Sequence, residues 1–502
     1  MNRIKISRVP QDLPARPKRI GYWQILIDVY NEFAAETSIH GLKYTTQRKL
    51  KTDGFIWLTI VSISIVCAGL LSSRFYERHR AASMRTTVVS TQHPAWDLQL
   101  PAVTLCHGTM ATRQKLESYL NSHETLKPKD VPREELINAV RQVRKAIEPS
   151  NTFPRELEVM QELLNSNALQ IHEFLEKVGP NCSEYLIVCK RANREVPCKS
   201  LMSPSLTPYG LCCSFNYHHA SSARRRFAAE ESKDQEHHSV TYGARFLLSF
   251  LMNPLQEDRL SSAFYGDGIK VLIHEPLNYP GPAALEFVAP SGHETIASVN
   301  GNRLTSSSEV LSIGQDVRRC VIVDESSPPY RKSNCYVSCR ERIIRNICRC
   351  QTFYSFTNER DFKFCNFSHM ICLSKNMIGS SSLKPSDPEC RCIPECEETS
   401  YSVETTTIPL NAPEFAPSPF YKDVNRIPNA TALHITLASQ VMTLQRRDVV
   451  QSWINLLSSL GGVFSLFLGC SFISLVEILY FFCICLPNKL RMRRNRNPTT
   501  KR

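Results

Sequence analysis

Two long apolar runs stand out from an otherwise mixed pattern of hydrophobic and polar positions. Phe55–Phe75, FIWLTIVSISIVCAGLLSSRF, carries one charge, Arg74, near its end, and Leu456–Phe482, LLSSLGGVFSLFLGCSFISLVEILYFF, carries one, Glu477. About 20 apolar residues at 1.5 Å rise cross the ~30 Å hydrocarbon core, so each run predicts a transmembrane helix. The first begins too deep and is too long for a cleavable signal peptide and reads as a signal anchor. In the second, Ser458, Gly462, Ser465 and Gly469 recur at spacings of four, three and four, which stacks them as one small, partly polar stripe. Leu460, Phe464, Phe467, Leu468 and Phe472 occupy the other faces. Such a stripe is either a helix-packing face of the GxxxG kind or a pore lining. In the second case Gly469-Cys470-Ser471 would offer carbonyls and a hydroxyl to a partly dehydrated cation. A carboxylate at the depth of Glu477 is costly unless it faces protein or water, so we count it as a buried transmembrane carboxylate with a function.

The intervening pattern is that of a folded α+β domain. Leu98–Cys106, Ser203–Phe215 and Gly243–Phe250 read as strands, and Val271–Val317 alternates apolar residues with Gly and Pro punctuation, which predicts more. Residues 129–178 are polar, with Leu157, Met160, Leu163 and Leu164 at helical spacing, and predict two or three surface helices. Arg224 to His238 is charged and poor in apolar residues, the composition of a mobile surface loop, with a furin-like cleavage site as the other reading. Ahead of the first run, Pro10, Pro14 and Pro17 break any early helix. Trp23, Ile25, Leu26, Val29, Tyr30 and Phe33 form a helical patch suited to lie against a membrane, and Thr37-Ser38-Ile39-His40-Gly41 follows as a loop.

Charge changes the picture by its placement. The chain of 502 residues has a net charge of +13. A basic excess suits nucleic acid, yet residues 1–54 hold ten Lys/Arg against five acids and residues 487–502 hold seven and no acid. Each cluster flanks an apolar run, as cytoplasmic flanks do, so no nucleic-acid partner is expected. Both termini then lie in the cytosol of a multi-pass plasma-membrane protein. The expected order is a cytoplasmic segment (1–54), a first span (55–76), an extracellular domain (77–448), a second span (449–486) and a basic tail (487–502). Sequons at Asn181, Asn366 and Asn429 all fall on the predicted outer side.

Sixteen of the 20 cysteines lie between the runs. An even number in an oxidising compartment reads as up to eight disulfides. Cys348-Arg-Cys350 and Cys390-Arg-Cys392 also have the look of zinc knuckles, but the outer placement favours disulfides, and no metal or other cofactor is expected. Cys335 and Cys339 share a helix face in CYVSCRERIIRNIC. A nested ladder of Cys320–Cys396, Cys335–Cys392 and Cys339–Cys390, with Cys348–Cys372 and Cys350–Cys365 at the tip, would staple an antiparallel hairpin; spacing alone leaves other connectivities open. There is no HExxH, GxSxG or phosphate loop, and His218-His219 and His237-His238 sit in polar loop contexts, so the chain does not read as an enzyme.

The ordered set of motifs resembles the degenerin/epithelial sodium channel superfamily, most closely its insect pickpocket branch. The resemblance runs from His40-Gly41 to Tyr480. It takes in Leu100-Pro-Ala-Val-Thr-Leu-Cys106, Tyr209-Gly-Leu-Cys-Cys-Ser-Phe-Asn216 and the Cys335-to-Cys396 spacing. Cys390-Arg-Cys-Ile-Pro-Glu-Cys396 with Tyr401, Leu456–Ser471 and Ser474-Leu-Val-Glu-Ile-Leu-Tyr480 complete it. The resemblance implies two transmembrane helices flanking a disulfide-rich extracellular domain with a β-sheet palm and helical thumb and finger elements. It implies a homo- or heterotrimer of related subunits, voltage-insensitive and sodium-selective, blocked by amiloride-like compounds. The stimulus would be chemical or mechanical, in a sensory or epithelial cell. By the same carry-over Gly469, Cys470 and Ser471 form the selectivity filter, and Ser458 holds the degenerin gate position. Ser465 lies where the blocker binds, and His40-Gly41 is the gating motif of the cytoplasmic mouth. The family pattern also suggests Cys106–Cys212 and Cys189–Cys198, which leaves Cys182 and Cys213 as an extra pair. Two departures argue against proton gating of the acid-sensing kind: Val317 stands where those relatives place a tryptophan, and Ser459 replaces a pore aspartate. The other reading of the chain is a non-conducting two-span surface receptor or regulatory subunit, which would tolerate bulk at Ser465 or Gly469.

Overall fold

The computed structural model describes residues 22–46, 51–81, 84–122, 131–218, 246–323, 329–355, 362–381, 390–415, 417–488 and 491. Pro10, Pro14 and Pro17, the Arg224–His238 stretch with His219, and nearly all of the basic tail lie outside them. The chain divides into two compact units, residues 84–448 and the pair of terminal segments 1–83 and 449–502.

The larger unit is built on two sheets with the main core between them. In the larger sheet the strand His293–Ser306 is the organiser: Thr431–Leu437 and Val441–Val449 pair parallel to successive stretches of one edge, and Glu398–Pro409 pairs antiparallel along the other. Thr295, Ala297, Val299 and Gly301 face inward at a period of two, which its one-sided burial requires. A Cβ on Gly301 would run into the Leu98 side chain, so that position admits only glycine without repacking. Thr431–Leu437 is buried throughout, with Leu248–Met252, Leu186–Arg191 and Arg194–Val196 beyond it, and Met84–Pro94 forms the opposite edge beside Val441–Val449. The smaller sheet orders Leu285–Pro290, Gly268–His274, Ala102–His107, Gly210–Phe215 and Ser203–Thr207. Leu105, Val271 and Ile273 from it meet Phe250, Leu433 and Ile435 from the larger one. The Leu98–Cys106 strand expectation is shortened at its front, since hydrogen bonding in the small sheet begins at Ala102.

Residues 129–178 correct a second expectation. The helices Arg133–Arg141, Arg155–Ser166 and Ile171–Val178 are not surface decoration, because Leu157, Val159, Met160, Leu163, Leu164 and Phe174 are fully buried in a core of their own. Their polar composition reflects only the outer faces.

The disulfides cross-link what the sheets cannot. Cys106 and Cys212 face each other on paired strands with Cα atoms 4.3 Å apart, and Cys189–Cys198 and Cys182–Cys213 tie the neighbouring segment. The helix Lys332–Cys348 and the returning segment 390–396 are joined by Cys335–Cys392 and Cys339–Cys390, and Cys320–Cys396 ties the end of that segment to the chain ahead of the helix; Cys348–Cys372 and Cys350–Cys365 close the far end. That end has a core of only a few residues around Ile344 and Leu373, so the cross-links carry much of its stability, each worth roughly 2–4 kcal/mol through the unfolded state. Asn181 and Asn429 are exposed, whereas Asn366 is half-buried and caps a short turn with His369.

In the smaller unit Lys51–Arg80 forms one continuous helix, longer than the span predicted from the apolar run, because basic and polar residues extend it at both ends. The second apolar run is not one helix. It breaks into Trp453–Leu468 and Phe472–Tyr480, the latter continuing through a π turn to Asn488, with a bend of 71°. Among the described residues, Lys51–Arg80 is the one helix that meets the length and composition of a span by itself; the second apolar run does so as a bent pair.

Candidate functional site

The break is written in three residues. Gly469 takes φ +61° and ends the first half-helix, its N–H bonding the Ser465 carbonyl at 2.9 Å. The Ser471 hydroxyl then accepts from the Ser474 N–H at 3.4 Å and the Ser474 hydroxyl from the Ser471 N–H at 3.1 Å, a reciprocal cap that starts the second half-helix. The carbonyls of Gly469 and Cys470 accept no backbone hydrogen bond from any described residue. The predicted stripe is therefore corrected at its lower end, where Gly469 turns the chain rather than stacking with Ser465.

Above the break, Leu456 and Val463 are the buried positions of Trp453–Leu468, and that half-helix packs along the helix Lys51–Arg80. Ser458, Gly462 and Ser465 are exposed on other faces, and a Cβ at Gly461 or Gly462 would meet nothing within 4 Å. The small residues thus do not serve to bring the chain's own two helices together.

Below the break lies an arrangement that sequence reasoning did not assemble. The helix Tyr22–Glu36 sets Phe33 against Phe481 and Phe482, with ring centroids 5.3 and 5.8 Å away. Residues 37–41 then return to the break. The Ser38 N–H donates to Glu477 Oε2 at 3.0 Å, its hydroxyl lies 3.1 Å from the same oxygen and 2.6 Å from Ser474 Oγ, and Thr37 Oγ1 donates to Glu477 Oε2 at 3.4 Å. Glu477, expected as a buried carboxylate, is half-buried and satisfied by an N-terminal backbone amide, so the cost of a carboxylate at this depth is met inside the chain. The His40 N–H donates to the Leu468 carbonyl at 2.9 Å, and the His40 ring lies where a Cβ on Gly469 would stand. Gly41 has φ +88°, and a Cβ there would come within 2.8 Å of Val61 on the first helix. His40, Gly41, Gly469, Ser471, Ser474 and Glu477 are thus one site; Ser458 and Ser465 lie outside it on the open stripe. The signal in the sequence was a glycine followed two residues later by a Ser-x-x-Ser cap inside an apolar run.

The exposed small-residue stripe ends at a break whose Gly469 and Cys470 carbonyls accept no backbone hydrogen bond from a described residue. Residues 33–481 match the family described as the amiloride-sensitive sodium channel. The chain belongs to that family, the degenerin/epithelial sodium channel superfamily, on its insect pickpocket branch. It is 30% identical over 491 residues to the sodium channel protein Nach of Drosophila melanogaster, covering 94% of this chain and 90% of the relative. It is 21% identical over 516 residues to Pickpocket protein 28 of the same species (92% and 80%) and 24% identical over 466 residues to the bile acid-sensitive ion channel of Mus musculus (90% and 86%). Members of the family are plasma-membrane ion channels, not enzymes, and assemble as oligomers of related subunits that conduct sodium.

The clasp on Glu477 yields a direct prediction. Glu477→Gln should lower whole-cell sodium current severalfold at unchanged surface expression, Ser38→Ala, which removes the hydroxyl contact and keeps the backbone amide bond, should lower it less, and the double substitution should be no worse than Glu477→Gln alone, because the Ser38 hydroxyl acts through that carboxylate. Additive losses in a double-mutant cycle would mean that the two residues act separately.

Proposed function

We propose that this chain is a subunit of a voltage-insensitive, amiloride-sensitive, sodium-selective trimeric channel, homo- or heteromeric, opened by an extracellular chemical or mechanical stimulus in a sensory or epithelial cell. Residues 55–76 and 449–486 are its two spans, 1–54 and 487–502 are cytoplasmic, and 77–448 form the extracellular domain, glycosylated at Asn181, Asn366 and Asn429. Gly469, Cys470 and Ser471 form the selectivity filter, Ser458 the gate, and Ser465 the blocker contact. His40-Gly41 gates from the cytoplasmic side. The observation that carries this reading is the open stripe leading to a break whose Leu468 carbonyl is held by the His40 amide while those of Gly469 and Cys470 are left available. A non-conducting receptor would have no use for either feature.

The test is ion substitution. Ser471→Ala removes the hydroxyl that would replace part of the sodium hydration shell and should shift the Na⁺/K⁺ reversal potential towards K⁺. Ser471→Thr keeps both hydroxyl and helix cap and should stay near wild type. Identical reversal potentials for Ser471→Ala and wild type would remove this residue from the filter.

A further inference from the structure

The disulfide-stapled segment has too small a core of its own at its far end to stand alone, and what it leans on is the helical core of residues 133–178. Phe353, Phe367 and Met370, from the chain after the helix Lys332–Cys348, are buried in one cluster with Leu157, Met160 and Phe174 of the helices Arg155–Ser166 and Ile171–Val178. Polar contacts run through the same junction. Gln161 is a polar residue on the inward face of its helix and only 7% exposed, so it needs partners there. It accepts from the Phe367 N–H at 2.8 Å and donates to Asn165 Oδ1 at 2.8 Å, which uses both ends of its carboxamide. Phe367 opens the turn Phe367–His369, where an N–H finds no acceptor within the turn itself, so Gln161 supplies one. Ser374, also buried, donates to Asn151 Oδ1 at 2.7 Å, and at another point the His172 ring meets Phe364 edge-on with centroids 4.9 Å apart.

At its near end the stapled segment is tied to the small sheet. Arg331 lies 3.3 Å from Glu275 Oε1, and Asn334 accepts from the Tyr279 N–H at 2.7 Å and donates to the Leu277 carbonyl at 2.8 Å. The Tyr279 hydroxyl donates to the Tyr354 carbonyl at 2.9 Å, which ties the small sheet to the far end as well.

We propose that the helices of residues 133–178 and the far end of the stapled segment are a single rigid body, coupled by Gln161, so that a stimulus received on the helices is passed whole to the helix Lys332–Cys348. Parting them would hydrate the large apolar side chains of both partners at once, and no charged side chain in the shared core favours that step. The use of this body in gating rests on the reading of residues 77–448 as the extracellular, stimulus-receiving domain; the body itself is tested without any stimulus.

The experiment is hydrogen exchange on the full-length protein in nanodiscs, read on the slowest amides of peptides covering residues 155–178 and 362–381. In wild type the two should share one protection factor, within about threefold, because one opening exposes both. Gln161→Ala removes the acceptor of the Phe367 N–H and should lower both by a common factor, roughly tenfold, while a peptide over Leu248–Met252 keeps its own protection. Ser374→Ala, a milder change, should again move the two peptides together. Residues 362–381 exchanging more than about tenfold faster than 155–178 in wild type, or either substitution moving one peptide alone, would overturn the rigid body. For gating, Asn151→Cys combined with Ser374→Cys, with the cross-link verified by peptide mass, should keep sodium current per surface subunit within about twofold of wild type. A tenfold loss, on the order of closing most channels, would show that the junction opens with the channel and would overturn the shared movement.

Discussion

Gly469→Ala is expected to reduce sodium current at least tenfold while the subunit still reaches the surface. Gly469 sits at φ +61°, a conformation that costs an L-residue with a side chain about 1–2 kcal/mol. The larger effect is steric. The new methyl would occupy the place of the His40 ring, so either the half-helices straighten or residues 37–41 withdraw from the break. Withdrawal would cost the His40 bond to the Leu468 carbonyl and strain the Ser38 clasp on Glu477. The measurement is whole-cell sodium current normalised to biotinylated surface protein, and wild-type current from Gly469→Ala would mean that the His40 contact is not part of the conducting structure. His40→Ala should partly restore Gly469→Ala, since it removes the group with which the methyl collides.

The opposite sign is expected of Ser458→Phe. Ser458 lies on the exposed face of Trp453–Leu468, away from the positions packed on the first helix, so added bulk does not disturb the chain's own fold. What it disturbs is approach to whatever faces the stripe, which in a trimer is the same helix of the neighbours. If closure brings these helices together, a phenyl ring at Ser458 holds them apart and leaves a standing inward current. Cells expressing the variant, recorded with sodium and then with a large organic cation, should show that current in sodium alone, and amiloride should reduce it. A closed channel with normal surface expression would mean that Ser458 does not lie at the gate.

Much of this was legible because local patterns carry it. The apolar runs and their basic flanks announce membrane helices, since hydrocarbon leaves the backbone few alternatives. The inward alternation along His293–Ser306 and the ladder of cysteines point to a sheet and a stapled hairpin for similarly local reasons. The 129–178 helices were placed, but their burial was misread, because a polar outer face says nothing about how well the inner face is covered.

The site itself divides at the same line. Residue types at Ser458, Ser465, Gly469, Cys470, Ser471 and His40-Gly41 were in view from the sequence, and so was the anomaly of a carboxylate at Glu477. That Gly469 would bend the chain rather than continue the stripe, and that a segment more than 400 residues upstream would supply the amide for Glu477, were tertiary decisions. Period and composition act over a few turns of helix, whereas the partner of a half-buried carboxylate is chosen by which donor the fold brings within 3 Å. The same holds for Glu275 and Arg331, unremarkable in the sequence and paired only because a strand end and a helix start converge in a place that excludes water.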